Sequence, residues 1–203
     1  MVHGDDYLSS GQSEDLDWLK AGLEKEFEIQ TQRVGKGEGK ETEGKILNRI
    51  VRWTEEGYEL EADPRHIELV VKQLGIEGEK PFATPGVEDT DKEEEVEEDP
   101  LTPEEATRYR GIAARINYLS PDRPDVLYAT KEACRDMSCP SRRAWQRLVR
   151  IGRFLLGRPR LIWHFRMQEA VEFFDTYSDA NWAACKTARK STSGGQSTSG
   201  RIS

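Results

Sequence analysis

The chain is 203 residues long, enough for one or two domains, with 33% charged residues and a formal net charge of −8. No apolar run approaches the ~20 residues that span a bilayer, and no basic-then-apolar leader opens the chain. A membrane-spanning or secreted protein is therefore not expected, and an intracellular one, cytoplasmic or nuclear, is. Cys134, Cys139 and Cys185 lack Cys-x-x-Cys spacing and read as reduced thiols. His3, His66 and His164 are too far apart for a His-Glu-x-x-His zinc pattern. The net charge hides a split: the first hundred residues carry −16, residues 101–170 carry +7 and the rest +1. Such asymmetry marks a chain with one basic working surface.

The first ten residues hold Gly4-Asp5-Asp6 between short β-prone flanks, a composition that reverses a chain. Adjacent carboxylates repel, so packing them into a cleft is unfavourable without a cation. Magnesium prefers hard oxygen ligands, and a pair of such ions clamps the attacking and leaving oxygens in polymerases. Gly-Asp-Asp is also a common surface turn, so the segments that follow must decide between the two readings.

Leu16, Leu19, Leu23 and Phe27 recur at helical spacing and predict a helix over 13–28, capped by Ser13, widened by Trp18 and packed on a sheet. Residues 34–44 are Gly-rich and charged, but no Gly-Lys-Ser/Thr follows, so a flexible connector is expected rather than a phosphate loop. Ile46, Ile50 and Trp53, then Glu55-Glu56-Gly57, then Tyr58 and Leu60 predict a hairpin over 45–61. Asp63-Pro64 starts a helix with the stripe Ile67, Val70, Val71 and Leu74, ended by Gly75. Residues 80–86 read as extended and turn-rich. Residues 87–99 hold nine acidic residues and one lysine, which predicts a solvated linker and not a calcium loop.

Thr102-Pro103-Glu104-Glu105 is a capping-box start for a helix to Leu119 that buries Tyr109, Ile112, Ile116 and Leu119. A second helix is expected over 124–137 and a third over 141–156. The third presents Trp145, Leu148, Val149, Leu155 and Leu156 on one face, with Gly152 allowing close approach. Its other face carries Arg143, Arg147, Arg150 and Arg153, which could track a phosphate backbone or stand as a solvated stripe. Strands are expected over 160–166 and 171–178, with Asp179 just beyond the second. The remainder decays into Ser, Thr and Gly with little to pack, apart from a short repeat, Ser191-Thr192-Ser193-Gly194 and Ser197-Thr198-Ser199-Gly200.

In this order the segments resemble the Pol polyprotein of copia-type LTR retrotransposons, from inside the reverse transcriptase into the start of ribonuclease H. His3-Gly4-Asp5-Asp6 is similar to the family's Tyr-x-Asp-Asp box, and Leu23-Glu24-Lys25-Glu26-Phe27-Glu28 to the helix end after it. Lys80-Pro81-Phe82-Ala83-Thr84-Pro85 resembles its Lys-Pro-x-x-Thr-Pro. The run from Tyr109-Arg110 through Tyr118-Leu119 to Arg123-Pro124-Asp125-Val126 resembles its connection. Tyr177-Ser178-Asp179-Ala180-Asn181-Trp182-Ala183 and Arg189-Lys190-Ser191-Thr192-Ser193-Gly194 resemble the opening of its ribonuclease H domain.

The resemblance implies an α+β chain in four parts. Residues 1–86 would be a partial palm hairpin and thumb helices, 87–100 an acidic disordered linker, 101–168 a basic helical connection and 169–203 the start of a ribonuclease H-like sheet. It implies that Asp5, Asp6 and Asp179 hold Mg2+ in the intact enzyme, that the partners are an RNA template, the RNA–DNA hybrid and the rest of Pol, and that the third polymerase carboxylate lies on an earlier strand outside these residues. Inactivity of the chain alone is the expectation. The alternative is a non-catalytic nucleic-acid-binding remnant that uses the basic helix 141–156. His3, Gly4 and Asn181 depart from the family's usual residues.

Overall fold

The computed structural model describes residues 2–3, 6–47, 49–62, 64–87, 99–168, 174–180, 182, 191 and 193–199. It is mixed α and β, in line with the α+β expectation. Two compact units divide the chain: residues 1–60 with 163–203, and residues 61–162. The division follows contacts rather than sequence order, so residues 61–86 share a unit with the helices after the acidic run.

The first unit opens with β1 (Val2–His3) and β2 (Asp6–Tyr7), which pair antiparallel with Val2 opposite Tyr7 and His3 opposite Asp6. The reversal expected at Gly4-Asp5 thus falls between paired strands, while Gly4 and Asp5 themselves lie outside the described residues. Helix α1 (Ser13–Glu26) forms where the leucine spacing placed it, but none of its residues is buried. Leu16, Leu19 and Leu23 are half-buried, Phe27 is exposed just past the helix, and Trp18 is 79% exposed and widens no buried face. Ser13 is not the cap either. Gln12 holds that position without a side-chain bond, and Ser13 Oγ instead accepts from Lys40 Nζ at 3.0 Å.

The stretch expected as a loose connector folds back on itself. Gly35 N–H donates to Glu41 O and Glu41 N–H to Arg33 O, around Gly37 and Gly39 with φ of 117° and 73°. Positive φ at both positions is what glycine supplies without steric cost. The chain then enters a four-stranded sheet, β3 (Glu43–Ile46), β4 (Arg49–Thr54), β5 (Gly57–Ala62) and β6 (Ile162–Arg166), ordered β3-β4-β5-β6. The hairpin turn at Glu55-Glu56 is as expected. Ile46 belongs to an extra strand before it, opposite Arg49.

A separate two-stranded sheet, β7 (Asp175–Ala180) and β8 (Ser193–Thr198), pairs antiparallel from Asp175 opposite Thr198 to Ala180 opposite Ser193. Two expectations need correction here. Asp179 lies inside β7, opposite Gly194, rather than beyond the strand. The Ser/Thr/Gly tail contributes a strand, because ladder hydrogen bonds need only backbone. Phe173 lies outside the described residues.

The second unit is a helical assembly that holds the buried core. Helix α2 (Arg65–Leu74) buries all four residues of its expected stripe, each stabilised by about 1.5–3 kcal/mol of apolar burial. Asp63 is the expected cap and lies outside the described residues; the cap position falls on Pro64, which makes no side-chain bond. Gly75, at φ 70°, ends the helix, and the N–H groups of Gly75 and Ile76 both reach Val71 O, a Schellman-like close with Ile76 tucked into the core.

Helix α3 (Pro103–Leu119) begins with the complete capping box. Thr102 Oγ1 accepts from Glu105 N–H, and Glu105 Oε2 accepts from Thr102 N–H at 3.0 Å. Tyr109, Ile112, Ile116 and Leu119 are all buried. A 3-10 turn (Ser120–Asp122) leads into α4 (Pro124–Arg135). Helix α5 (Arg142–Gly157) is capped by Ser141 Oγ, which accepts from Ala144 N–H. It buries Leu148 and Leu155 as expected, and Ala144, Ile151 and Phe154 besides. A Cβ on Gly152 would sit 2.4 Å from Leu74 Cδ1 and 2.9 Å from Ile76 Cδ1. That glycine is what lets α5 lie close against α2.

Candidate functional site

The polymerase-type carboxylates come first. Asp6 is exposed on β2, and its neighbour Asp5 lies outside the described residues. Asp179 is exposed on β7, in a different two-stranded sheet. Among the described residues no group of three His, Cys, Asp or Glu side chains could hold a metal ion. A two-magnesium centre needs convergent oxygen ligands, and the described part of this chain does not assemble them.

The arginine stripe on α5 forms as expected, but its side chains are half-buried and have work inside the unit. Arg147 Nη1 lies 3.2 Å from Asp136 Oδ2. Arg150 Nη2 donates to Thr84 Oγ1 at 2.9 Å and stacks 4.6 Å from the Phe82 ring centroid. Arg153 Nε donates to Lys80 O at 2.7 Å, its guanidinium lies 3.9 Å from the same ring, and Nη1 is 3.8 Å from Glu79 Oε2. Arg143 is engaged as well. Phe82 thus carries two guanidinium groups on one ring, an arrangement favoured by the ring quadrupole. A Cβ on Gly157 would strike Pro81 Cβ at 2.6 Å, so this strap lies tight along α5.

Other arginines of the basic region follow the same logic. Arg108 donates through Nε to Gln73 O at 2.9 Å, among the last carbonyls of α2, and packs over Trp145. Arg110 Nε donates to Met137 O at 2.7 Å, just past α4. Arg123 Nη2 donates to Arg158 O at 2.9 Å, at the end of α5. The last carbonyls of a helix lack intrahelical donors and carry the negative end of its dipole, so a guanidinium is a fitting partner. Three arginines of the region thus reach carbonyls at or just past helix ends. No local pattern announces these contacts, because the partners are 27 to 35 residues apart.

Arg123 is the most consequential of these. It is 1% exposed and grips Asp125 with two parallel bonds, Nε to Oδ1 at 2.9 Å and Nη2 to Oδ2 at 2.8 Å. This is the Arg-Pro-Asp element that the sequence singled out. Pro124 opens α4, Asp125 sits in its first turn, and the fork pins the entry to the helix. A second bidentate pair, Arg160 to Glu61 at 2.5 and 2.8 Å, ties the two chain ends of the same unit, with the Glu61 side chain 3% exposed.

No family model matches the chain and no solved structure matches it. Among curated proteins it is 36% identical over 88 residues to the retrovirus-related Pol polyprotein from transposon RE1 of Arabidopsis thaliana, and 34% identical over 88 residues to that from transposon RE2. Each match takes in 43% of this chain and 6% of the polyprotein. An uncharacterized mitochondrial protein of the same plant is 30% identical over 88 residues, which is 42% of this chain and 35% of that protein. The chain spans only a small part of the polyproteins that it matches, and over those 88 residues it is similar to retrovirus-related Pol polyproteins of transposons.

Proposed function

We propose that this chain is the part of a copia-type retrotransposon Pol that runs from the end of the reverse transcriptase into the start of ribonuclease H, and that its helical unit rests against the RNA–DNA hybrid. The observation that carries this reading is the identity to two transposon Pol polyproteins, supported by the order of the five resembling segments. On that reading Asp5 and Asp6 contribute two polymerase carboxylates and Asp179 the first of ribonuclease H. The missing ligands come from elsewhere in Pol, and the bound magnesium ions would supply stabilisation of the attacking and leaving oxygens. The 203-residue chain alone should not extend a primer on an RNA template in magnesium. Extension that disappears on Asp5→Asn with Asp6→Asn would refute this.

The alternative reading, a non-catalytic nucleic-acid-binding module, draws on the arginines of α5. Because Arg150 and Arg153 also hold the strap at 80–84, they are poor test positions. Arg143 and Arg147 do not hold that strap, although Arg147 pairs with Asp136 at 3.2 Å and Arg143 is engaged too, so the fold of the variant is checked alongside its binding. Replacing both by glutamate should weaken hybrid binding, with the far-UV spectrum retained. Unchanged binding would count against α5 as the contact.

A further inference from the structure

We propose that Thr84 is a phosphorylation site for a proline-directed protein kinase, and that its phosphate is received by the Arg150 guanidinium beside Phe82. The inference stands apart from the polymerase reading. The chain contains three Ser/Thr-Pro pairs: Thr84-Pro85, Thr102-Pro103 and Ser120-Pro121. The fold disqualifies two of them. Ser120 is 2% exposed, and its hydroxyl donates to Asn117 O at 2.9 Å. The Thr102 hydroxyl is held in the capping box, 3.0 Å from Glu105 Oε2. A phosphate there would face a carboxylate.

Although Thr102 is exposed too, Thr84 differs in its backbone and in the charge of its partner. It is exposed and lies in a segment with neither helix nor strand, so a kinase cleft can take it extended. Its Oγ1 already accepts from Arg150 Nη2 at 2.9 Å. Arg150 Nε is buried and has no hydrogen-bond partner among the described residues, so this guanidinium has a donor to spare. Arg153, on the same Phe82 ring, adds positive charge, offset in part by Glu79 at 3.8 Å.

In the reaction the Oγ1–P bond forms as the bond from the γ-phosphorus of ATP to its bridging oxygen breaks. ADP leaves, and the hydroxyl proton passes to the kinase base. The product carries ≈ −1.5 to −2 charge and three strong acceptor oxygens against an arginine that offers parallel donors. The strap would then be fastened to α5 more firmly than by one neutral hydroxyl.

The test treats the purified chain with a proline-directed Ser/Thr kinase and ATP, maps the product by mass spectrometry, and titrates it by phosphorus NMR. Modification is expected at Thr84 and is lost in Thr84→Val and Pro85→Ala. The phosphate's second pKa should fall from about 6 to about 5 in the folded chain. It should return to about 6 in guanidinium chloride and in Arg150→Gln. Modification only at Thr102 or Ser120, or none, would overturn the site. A Thr84 phosphate that titrates alike in folded and denatured chains would overturn the arginine cradle. The denatured comparison needs no variant, so it decides even if Arg150→Gln does not fold.

Discussion

Removing either partner of the Arg123–Asp125 fork should cost very different amounts. Arg123 is 1% exposed and Asp125 20%. Asp125→Ala strips two of the three hydrogen bonds from a buried cation that cannot shed its proton. Among the described residues only the bond to Arg158 O then remains, and Nη1 already lacks a partner there. An uncompensated buried charge of this kind costs about 3–5 kcal/mol. Arg123→Met instead removes the cation together with its orphaned donor. It leaves Asp125 within reach of water, in the first turn of α4, where a carboxylate complements the dipole. The lost charged hydrogen bonds are then set against several kcal/mol of desolvation that is no longer needed, a net loss of about 0–2 kcal/mol. Urea unfolding of the full chain, followed by far-UV circular dichroism, reads both. The expected order is Asp125→Ala well below Arg123→Met, by about fivefold or more in the folding equilibrium. Equal losses, or a larger loss for Arg123→Met, would refute the claim that burial of the cation dominates this pair.

Three further outcomes follow from the helical unit. Gly152→Val should destabilise by about 1–3 kcal/mol of overpacking against Leu74 and Ile76, and Gly152→Ala by less, since alanine regains about 1 kcal/mol of helix propensity; denaturant midpoints compare them. Tyr109→Phe deletes the buried bond from the phenol to Ala133 O at 2.7 Å and should cost about 0.5–1.5 kcal/mol, since Ala133 O still accepts from Asp136 N–H at 3.3 Å. Burial also pushes the Tyr109 phenol far above the usual range, so absorbance should show it un-ionised in alkali until the chain unfolds. The Glu105 carboxyl is held below its ordinary value of 4.5, first by the Thr102 N–H, then by the Thr102 hydroxyl and Arg142. Its contribution is therefore present above the unfolded value and lost as pH falls through the lower folded one. Thr102→Ala, which costs about 1 kcal/mol of capping, should flatten that acid limb of the helical signal.

Local grammar was legible in the sequence. The capping box at Thr102, the Ile67–Leu74 stripe closed by Gly75, the turn at Glu55-Glu56 and the close approach at Gly152 each depend on residues near one another or on one small side chain. What depended on distant partners was not legible. The arginines of 101–160 reach carbonyls and carboxylates that only tertiary packing brings near, so a stripe that resembled a phosphate track also serves as internal fastening. Strand β8 was missed because Ser, Thr and Gly carry little packing signal, although their backbone pairs well with β7. Helix α1 was expected to bury its leucines, yet among the described residues nothing covers them fully. Of the candidate carboxylates, Asp6 and Asp179 are placed on exposed strands, and Asp5 is outside the described residues.

The most direct measurement is fluorescence anisotropy of a labelled RNA–DNA hybrid titrated with the purified chain over a range of salt. A Pol-derived helical unit that rests on the hybrid predicts saturable binding that weakens steeply as salt rises and is reduced by Arg143→Glu with Arg147→Glu. No binding at low salt, or binding indifferent to both salt and those arginines, would contradict it.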